Sequence, residues 1–324
     1  MAFLDGKSRE GLERKHYGLV GAHSAVEICS WTKKCLLGKG TCYKEKFYGA
    51  RALNCVQMTP AVAWCEQNCL HCWRPMEMFR PPSNFKPPYD PPEKIISGAI
   101  EARRKLLHGY GGHPNVPRAR YTESLIPKHW AISLSGEATL YPHLPELISA
   151  IKALPHTETV FLVTNGQEPE MLKRLAEEDA PPTQLYVSLV AHNREMFQRL
   201  AAPVYKDGWE RLLETLEVWK SLDTRRVIRI TLMQGINSSE EDVRGFARIV
   251  RDASPDFVEI KSYMRLGYSR RRLLPENMPS FSQVQGFTSL MLNHLDGYAL
   301  ESKDEASRIT LLKSGQSKWP TRIQ

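Results

Sequence analysis

The sequence lacks the features that would assign it to several large classes of protein. None of its seven cysteines lies beyond residue 72, and no run of about 18 uncharged apolar residues occurs. The N-terminal stretch has neither the apolar core nor the small-residue cleavage site of a signal peptide. We therefore expect a cytoplasmic protein without a membrane span. In a reducing compartment, cysteines serve metal ligation or catalysis rather than disulfides.

The composition is that of an ordinary globular chain with an excess of positive charge. The 324 residues fit one large domain or two smaller ones, and the formal net charge is +8. This excess suits a polyanionic partner, but many soluble enzymes are mildly basic. Charge alone therefore leaves a nucleic-acid partner open.

Strand and helix patterns alternate six times after residue 55. Such repeats predict a parallel sheet with right-handed crossovers. Their number favours an α/β fold with a partial (β/α)6 barrel over the closed eight-unit barrel, with ligands at the carboxyl ends of the strands. The predicted strands are 56–64, 129–133, 159–164, 184–189, 226–233 and 257–262. The predicted helices are 92–107, 144–154, 168–176, 194–200, 208–221, 240–253 and 282–295.

The distribution of cysteines and loops predicts three regions. Residues 1–55 form an N-terminal cysteine-rich extension, 56–298 the barrel core, and 299–324 a C-terminal extension of helical and loop segments that packs on the core. Within the core, residues 79–92 contain six prolines and are predicted to be extended. Residues 109–127 are predicted to form a second long loop.

Three cysteines follow the first predicted strand at the spacing Cys65-x3-Cys69-x2-Cys72. Three thiolates on a tight loop can hold three corners of a [4Fe-4S] cube and leave the fourth iron open. Zinc sites usually have two paired C-x2-C arms, and no second arm follows here. The spacing therefore favours an iron–sulfur cluster with one open iron.

The segments around this triplet resemble the radical S-adenosylmethionine (SAM) superfamily. Asn68 and His71 precede the second and third cysteines, and 135–139 (SGEAT) resembles the superfamily's Gly-Glu-Pro segment. The resemblance implies that Gly136 and Glu137 bind the amino group of SAM, although Ala138 stands where proline is usual. Further polar residues at predicted strand ends are expected to line the same end of the barrel as the SAM site. They are Thr164, Asn165, Ser188 and Arg229.

A second triplet, Cys29, Cys42 and Cys55, has a constant spacing of 13 residues. Thirteen residues leave an offset of about 220° on a helix, so the three cannot share one helix face. We expect them on separate element ends that converge on one metal centre. Cys35 falls outside the series and is expected to be a small buried thiol.

Basic and aromatic residues are interleaved between Cys29 and Cys55. Cations position phosphates and flat rings stack on unpaired bases, so this composition suits single-stranded RNA. The residues are Lys33, Lys34, Lys39, Lys44, Lys46 and Arg51, with Trp31, Tyr43, Phe47 and Tyr48.

The double triplet resembles the archaeal tRNA 4-demethylwyosine synthases over nearly the whole chain. The supporting segments are 42–49 (CYKEKFYG), 71–75 (HCWRP), 259–264 (EIKSYM) and 267–270 (GYSR). The resemblance implies a carbon–carbon lyase that condenses pyruvate with 1-methylguanosine at position 37 of phenylalanine tRNA. A 5′-deoxyadenosyl radical takes a hydrogen from the N-methyl group, the carbon radical adds to the pyruvate carbonyl, the carboxyl carbon leaves as formate, and the ring closes.

The same resemblance implies two [4Fe-4S] clusters, of which the second, on Cys29, Cys42 and Cys55, binds pyruvate. A nearby lysine, Lys44 first and Lys46 second, is expected to form an imine with the keto group. Eukaryotic relatives add a flavodoxin-like domain for which this chain has no room, so we expect an external flavodoxin- or ferredoxin-like donor and a monomeric enzyme. The arginines expected to contact tRNA are Arg118, Arg120, Arg270, Arg271 and Arg272.

Three alternatives stay open at this point. A radical SAM tRNA methylthiotransferase also combines two cysteine trios, but its first trio is more widely spaced and it ends in an RNA-binding β-domain. A glycyl-radical activating enzyme acts on a protein and needs no aromatic and basic RNA surface. A non-catalytic iron–sulfur or zinc module that binds nucleic acid would not form 5′-deoxyadenosine.

Overall fold

Strands and helices alternate along the chain in the computed structural model, which describes residues 4–323. The strands are β1 Gly18–Val20, β2 Ser24–Glu27, β3 Cys55–Thr59, β4 His129–Ile132, β5 Thr159–Thr164, β6 Gln184–Leu189, β7 Arg225–Leu232, β8 Phe257–Ser262, β9 Tyr298–Asp304 and β10 Ile309–Ser314. The helices are α1 Gly6–Glu13, α2 Ser30–Leu36, α3 Tyr43–Tyr48, α4 Pro92–Leu107, α5 Arg118–Ser124, α6 Leu144–Lys152, α7 Pro169–Glu177, α8 Arg194–Ala201, α9 Gly208–Val218, α10 Glu240–Ala253 and α11 Phe281–Leu292.

The chain divides into two compact units, each assembled from several stretches. The first contains the chain up to Cys65, together with Met78–Val163 and Lys173–Gln184. The second contains Glu66–Glu77, Thr164–Leu172 and the chain from Leu185 onward. The predicted boundaries after residues 55 and 298 stay a prediction.

The first unit is built on strands β1 to β5. Strand β3 pairs in parallel with β4, which pairs in parallel with β5, whereas β1 and β2 extend the sheet in antiparallel fashion. Helix α4 packs on β1, β2 and β3. Its buried face contains Ile95, Ala99, Arg103 and Leu107 at intervals of four residues, and this spacing explains why one stripe of the helix faces the sheet.

The second unit contains β6, β7, β8, β10 and β9 in that spatial order. Strands β7 and β8 are parallel, and β10 is antiparallel to both β8 and β9. Strands β8 and β10 are buried along almost their whole length because both faces are covered. Helix α10 begins with a capping box in which Ser239 and Asp242 exchange hydrogen bonds.

The predicted fold class is confirmed. Six strands, β3 to β8, are each followed by at least one helix, and the parallel pairings agree with an α/β architecture. The predicted ranges of β5, β6, β8, α4 and α10 are also confirmed to the residue.

The expected helical and loop structure of the C-terminal extension is wrong. Residues 298–314 contain two antiparallel strands joined by a short turn. Strand β10 buries Ile309, Leu311 and Leu312, because it covers the flank of β8. Strand β9 is mostly exposed and carries Glu301 and Lys303, charged side chains of the kind that protect a sheet edge.

The expected loop at residues 109–127 contains a helix instead. Helix α5 begins at Arg118, immediately after Pro117, whose backbone is fixed in an extended conformation suited to a helix start. The helix packs against the short 3-10 turn at Ala52–Asn54. A helix of seven residues depends on tertiary packing for its stability, so the sequence of this segment alone gives only a weak indication of a helix.

Candidate active site

The second cysteine triplet occupies three element ends in the first unit, as predicted. Cys29 is the N-cap of α2 and accepts a hydrogen bond from the Thr32 backbone N–H at 3.3 Å. Cys42 precedes α3, and Cys55 is the first residue of β3. The three residues therefore belong to different elements of one compact unit.

The three thiols lie within electrostatic reach of one another. Burial raises the pKa of Cys55 to about 12, and the Cys29 and Cys42 thiols act in the same direction. The cations Lys44 and Arg103 act on the same thiol in the opposite direction. The structure thus brings together the three predicted ligands and the predicted lysine, and it adds a buried arginine that was not predicted.

Within residues 4–323, no group of three or more His, Cys, Asp or Glu side chains lies close enough to hold a single metal ion. A [4Fe-4S] cube binds each thiolate to a different iron, and its ligands are therefore farther apart than those of one ion.

The two candidate lysines differ in their surroundings. Lys44 is half-buried, and its Nζ lies 4.4 Å from the centroid of the Phe161 ring on β5. Lys46, two residues later, is exposed. Of the two, Lys44 is the one whose charge acts on Cys55.

The loop that carries Cys69 and Cys72 is held by side-chain contacts within the second unit. The Cys69 Sγ donates to Gln67 Oε1 at 3.1 Å. Arg272 donates from Nε to the Leu70 carbonyl oxygen at 3.0 Å, and from Nη2 to the Cys72 carbonyl oxygen. These contacts hold the backbone at Leu70 and at Cys72. Cys65 precedes this loop along the chain, at the end of the first unit's initial stretch.

His71 supplies an independent observation on this loop. Burial and the Arg272 charge lower the pKa of His71 to about 4, so the ring is neutral near pH 7. Its Nδ1 is buried and has no hydrogen-bond partner within the part of the chain that the structure describes. An orphaned ring nitrogen between two cysteines fits a loop that surrounds a group bearing acceptor atoms, such as the sulfides of a cluster.

The segment that resembles a SAM-binding motif is tied to the residue before Cys65. The Glu137 backbone N–H donates to the Trp64 carbonyl oxygen at 2.7 Å. Gly136 has a φ of +67°, and a Cβ there would lie 1.8 Å from the Ala61 carbonyl oxygen. Only glycine permits this approach. The buried Glu137 carboxylate accepts from the Thr139 Oγ1 at 2.7 Å and from the Thr139 backbone N–H at 3.2 Å.

The departure from proline at Ala138 does not disturb this turn. Ala138 is buried and begins a short 3-10 turn, Ala138–Leu140. The hydrogen bonds of Glu137 to Trp64 and Thr139 hold the segment by other means than a proline ring.

Two of the predicted strand-end residues belong to a polar network in the second unit. The Asn165 Nδ2 donates to Glu66 Oε2 at 3.1 Å, and Gln67 Nε2 donates to the Asn165 carbonyl oxygen at 3.4 Å. The Thr164 Oγ1 accepts from the Gly166 backbone N–H at 3.1 Å. Because Gln67 also contacts Cys69, the network connects Asn165 with the cysteine loop.

The remaining two strand-end residues lie elsewhere in the second unit. Arg229 on β7 donates to the buried carboxylate of Glu259 at 2.8 Å and lies 4.3 Å from the centroid of the Tyr186 ring. Ser188 is half-buried on β6. The structure shows no hydrogen bond that joins Ser188 to Arg229 among the residues it describes.

The described residues include several buried charged side chains that were not predicted, among them Glu66, Glu259 and Arg103. Glu66 and Glu259 are fully buried, and Arg103 is 3 % exposed. Each has a signal in the sequence: Glu66 adjoins Cys65, Glu259 interrupts an apolar strand pattern, and Arg103 falls on the apolar stripe of α4. A charged side chain at a position that the apolar pattern of a helix or strand assigns to the core indicates an interaction partner or a function for that side chain.

The five arginines predicted to contact tRNA fall into two groups. Arg118 and Arg120 are exposed on α5, and Arg270 and Arg271 are exposed on the short helical turn Gly267–Arg271. Arg272 is half-buried and uses its guanidinium to hold the cysteine loop. Its predicted contact with tRNA stays a prediction.

Comparison with known proteins agrees with the geometry. Residues 60–247 match the Radical SAM superfamily, and residues 252–314 match the Wyosine base formation family. The chain is therefore a radical SAM enzyme, a class that uses SAM and a [4Fe-4S] cluster. Within the residues that the structure describes, no helix is long and apolar enough to cross a membrane.

The more specific relatives share one activity. An S-adenosyl-L-methionine-dependent tRNA 4-demethylwyosine synthase of Pyrococcus abyssi is 44% identical over 92% of this chain and 86% of its own length. The corresponding synthase of Methanocaldococcus jannaschii is 37% identical over 95% of this chain and 96% of its own length. A solved structure of TYW1 with a lysine-pyruvate adduct bound is 33% identical, with a TM-score of 0.87 over 99% of this chain and 100% of the other. The chain belongs to the family of tRNA 4-demethylwyosine synthases.

We expect the charge of Glu137 to be needed for SAM binding. Glu137→Gln keeps the size and the Thr139 contact but loses a charge-assisted bond to an ammonium, which is worth about 1.5–3 kcal/mol. Isothermal titration of the reconstituted protein should show SAM affinity lowered by about 10- to 100-fold. The matched control is Glu146→Gln, a half-exposed carboxylate on α6. Equal SAM affinity in Glu137→Gln and the wild-type protein would contradict this role.

Proposed function

We propose that this chain condenses pyruvate with 1-methylguanosine at position 37 of phenylalanine tRNA to form 4-demethylwyosine. The observation that supports this most is that Lys44 lies close enough to act on the Cys55 thiol, on which Cys29 and Cys42 also act. A relative with the same fold holds a lysine-pyruvate adduct. A half-buried lysine near Cys55 is the arrangement that such an adduct would need.

For the first cluster, we propose Cys65, Cys69 and Cys72 as the three ligands. When bound, a [4Fe-4S] cluster with an open iron supplies the electron that cleaves SAM. Gln67 and Arg272 orient the loop, since they contact the Cys69 thiol and the Cys72 carbonyl oxygen.

For SAM itself, we propose Gly136 and Glu137 as the residues that receive the amino group. Gly136 lets the backbone approach the ligand, and Glu137 offers a buried carboxylate next to the first cysteine. Thr164, Asn165, Ser188 and Arg229 are proposed to contact the rest of the cofactor. The link from Asn165 through Gln67 to Cys69 supports this role for Asn165.

For the second substrate, we propose a second [4Fe-4S] cluster on Cys29, Cys42 and Cys55. A thiol whose pKa lies near 12 stays protonated at neutral pH, and a bound metal displaces such protons because the thiolate is the ligand. Each of these cysteines is only partly exposed, so a cluster there would be shielded from water.

We propose that Lys44 captures pyruvate as an imine. The neutral amine attacks the keto carbon, a C=N bond forms, and the keto oxygen leaves as water. The Phe161 ring below Nζ limits the directions from which the keto group can approach. Lys46, the second candidate, is exposed and is less suited to hold a reaction away from water.

For the tRNA, we propose a surface made of Trp73, Leu266, Arg270, Arg271 and Leu274. All five side chains are exposed, and Tyr268 joins the two segments through a backbone hydrogen bond to Trp73 at 3.2 Å. The Arg74 guanidinium lies 3.7 Å from the Trp73 ring centroid and supports one face of the indole. An exposed indole flanked by cations suits an unstacked base and its phosphates.

This surface predicts two separable losses of tRNA affinity. Trp73→Ala should weaken binding about tenfold without a change in its salt dependence, because stacking involves no counterion release. The double variant Arg270→Gln, Arg271→Gln should weaken binding and lower the salt slope by about one per arginine. Filter binding over a range of salt concentrations measures both effects. Arg248→Gln, an exposed arginine on α10, is the matched control.

The proposed reaction is tested by mass spectrometry of the nucleoside. Phenylalanine tRNA carrying 1-methylguanosine is incubated anaerobically with reconstituted enzyme, SAM, dithionite and pyruvate. We expect a new tricyclic nucleoside that carries two carbons from labelled pyruvate. An unchanged nucleoside, or a sulfur-containing adenosine, would overturn the proposal.

We further propose that the chain acts in the cytoplasm as a monomer with a flavodoxin- or ferredoxin-like electron donor. Replacing dithionite with each reduced donor in the same assay tests the reductant. Sedimentation of the reconstituted enzyme tests the oligomeric state.

A further inference from the structure

Arg103 is a buried cation that the proposed reaction does not use. It lies on α4 between Ala99 and Leu107, in the stripe that faces the sheet. An arginine in such a position loses most of its hydration, and it is tolerated only where its N–H groups and its charge are both compensated.

The buried N–H groups of Arg103 donate hydrogen bonds to backbone carbonyl groups. Its Nε donates to Cys55 at 3.0 Å, and its Nη2 donates to Leu53 at 2.7 Å. Its Nη1 donates to Ser124, the last residue of α5. The planar guanidinium thus joins the start of β3 to the end of α5, and one of its three acceptors belongs to a proposed cluster ligand.

Among the side chains that the structure describes, no carboxylate pairs with Arg103, and its three hydrogen-bond acceptors are backbone carbonyl groups. Its guanidinium instead contacts the backbone of Cys55, whose thiol belongs to the second cysteine triplet. The buried cation therefore adjoins the second cysteine triplet through Cys55.

A cluster on that triplet would supply the missing negative charge. A [4Fe-4S]²⁺ core with three thiolates carries a net charge of about −1, and one-electron reduction makes it about −2. A fixed cation nearby stabilises both states and the reduced one more, because the attraction grows with the charge. The same cation therefore favours cluster retention and raises the reduction potential.

We propose that Arg103 is the fixed counter-charge and a positioning residue of the cluster held by Cys29, Cys42 and Cys55. The inference rests on the second cluster proposed above. The side chain of Arg103 then has two roles. Its guanidinium N–H groups hold the Cys55 backbone, and its charge sets the reduction potential and the stability of the cluster.

The test uses the full chain with Cys65, Cys69 and Cys72 all changed to alanine, so that any remaining cluster reports on the second triplet alone. Arg103→Gln and Arg103→Met remove the charge, and Arg103→Lys keeps it while losing the fork. Each protein is reconstituted anaerobically. Iron content, the midpoint potential from a dithionite titration followed by electron paramagnetic resonance, and the rate of iron loss to a chelator are then measured.

We expect about four irons per chain when Arg103 is intact. The charge-removing variants should have a more negative midpoint potential and lose iron about tenfold faster, in line with other residues that support metal ligands. Arg103→Lys should keep the potential near that of the parent. A purely structural role would instead shift Arg103→Lys as much as Arg103→Gln.

The outcomes separate the two proposals. No bound iron in the parent would overturn the second cluster, and the role of Arg103 with it. Bound iron with the same potential and chelation rate in Arg103→Gln would overturn the role of Arg103 alone. If Arg103→Met and Arg103→Gln do not fold, Arg103→Lys decides: a potential shifted away from that of the parent would overturn the charge effect, and an unchanged one supports it.

Discussion

Lys44→Ala should abolish borohydride trapping of labelled pyruvate and lower 4-demethylwyosine formation by about 10³-fold or more, as expected when a covalent nucleophile is removed. The Nζ of Lys44 lies over the Phe161 ring, and its charge acts on Cys55. Removal of this amine leaves pyruvate without a covalent attachment. Peptide mass spectrometry of the trapped protein locates the modified residue, and nucleoside analysis measures the product.

Two further variants make this prediction specific. Lys105→Ala removes an exposed lysine of α4 that pairs with Glu101, and it should trap pyruvate as the wild-type protein does. Lys46→Ala discriminates between the two candidates. Trapping that survives Lys44→Ala but disappears in Lys46→Ala would transfer the role to Lys46, and trapping that survives both changes would remove the imine from the proposal.

The fold was largely predictable because its strands are buried on both faces. Apolar runs such as those of β5 and β6 differ sharply from the amphipathic helices between them, so period and length identify each element. Strand β9 was missed because it lacks such a buried apolar run. Strand β9 is an exposed edge whose charged residues resemble a loop, and only its pairing with β10 makes it a strand.

Candidate site residues could be predicted where they follow one another at a characteristic spacing in the sequence. They could not be predicted where only the fold brings them together. Cysteines at fixed intervals indicate metal ligation through their spacing alone. Arg103 is far from them in sequence and reaches Cys55 only because α4 packs on β3. Arg272 was expected to face tRNA, yet it reaches Cys72 across 200 residues of chain. Contacts between residues so far apart in the chain leave no pattern in the sequence around either residue.

Cys42→Ala should remove about half of the iron from the reconstituted enzyme, leaving about four of about eight irons per chain. The remaining cluster, on Cys65, Cys69 and Cys72, should still cleave SAM, so 5′-deoxyadenosine should form while 4-demethylwyosine does not. This separation follows because the two triplets lie on different loops and only one is proposed to hold pyruvate. Iron analysis and chromatography of both products measure it.

Cys35→Ala is the matched control for this prediction. Cys35 lies between Cys29 and Cys42 in sequence, but its side chain packs against the apolar cluster of Leu36, Leu107 and Val116. Burial raises the pKa of Cys35, as does the nearby Glu45 carboxylate. The variant should keep about eight irons per chain, the content of two intact clusters. If Cys35→Ala lost as much iron as Cys42→Ala, Cys35 would be a ligand and the evenly spaced triplet would not be the complete set.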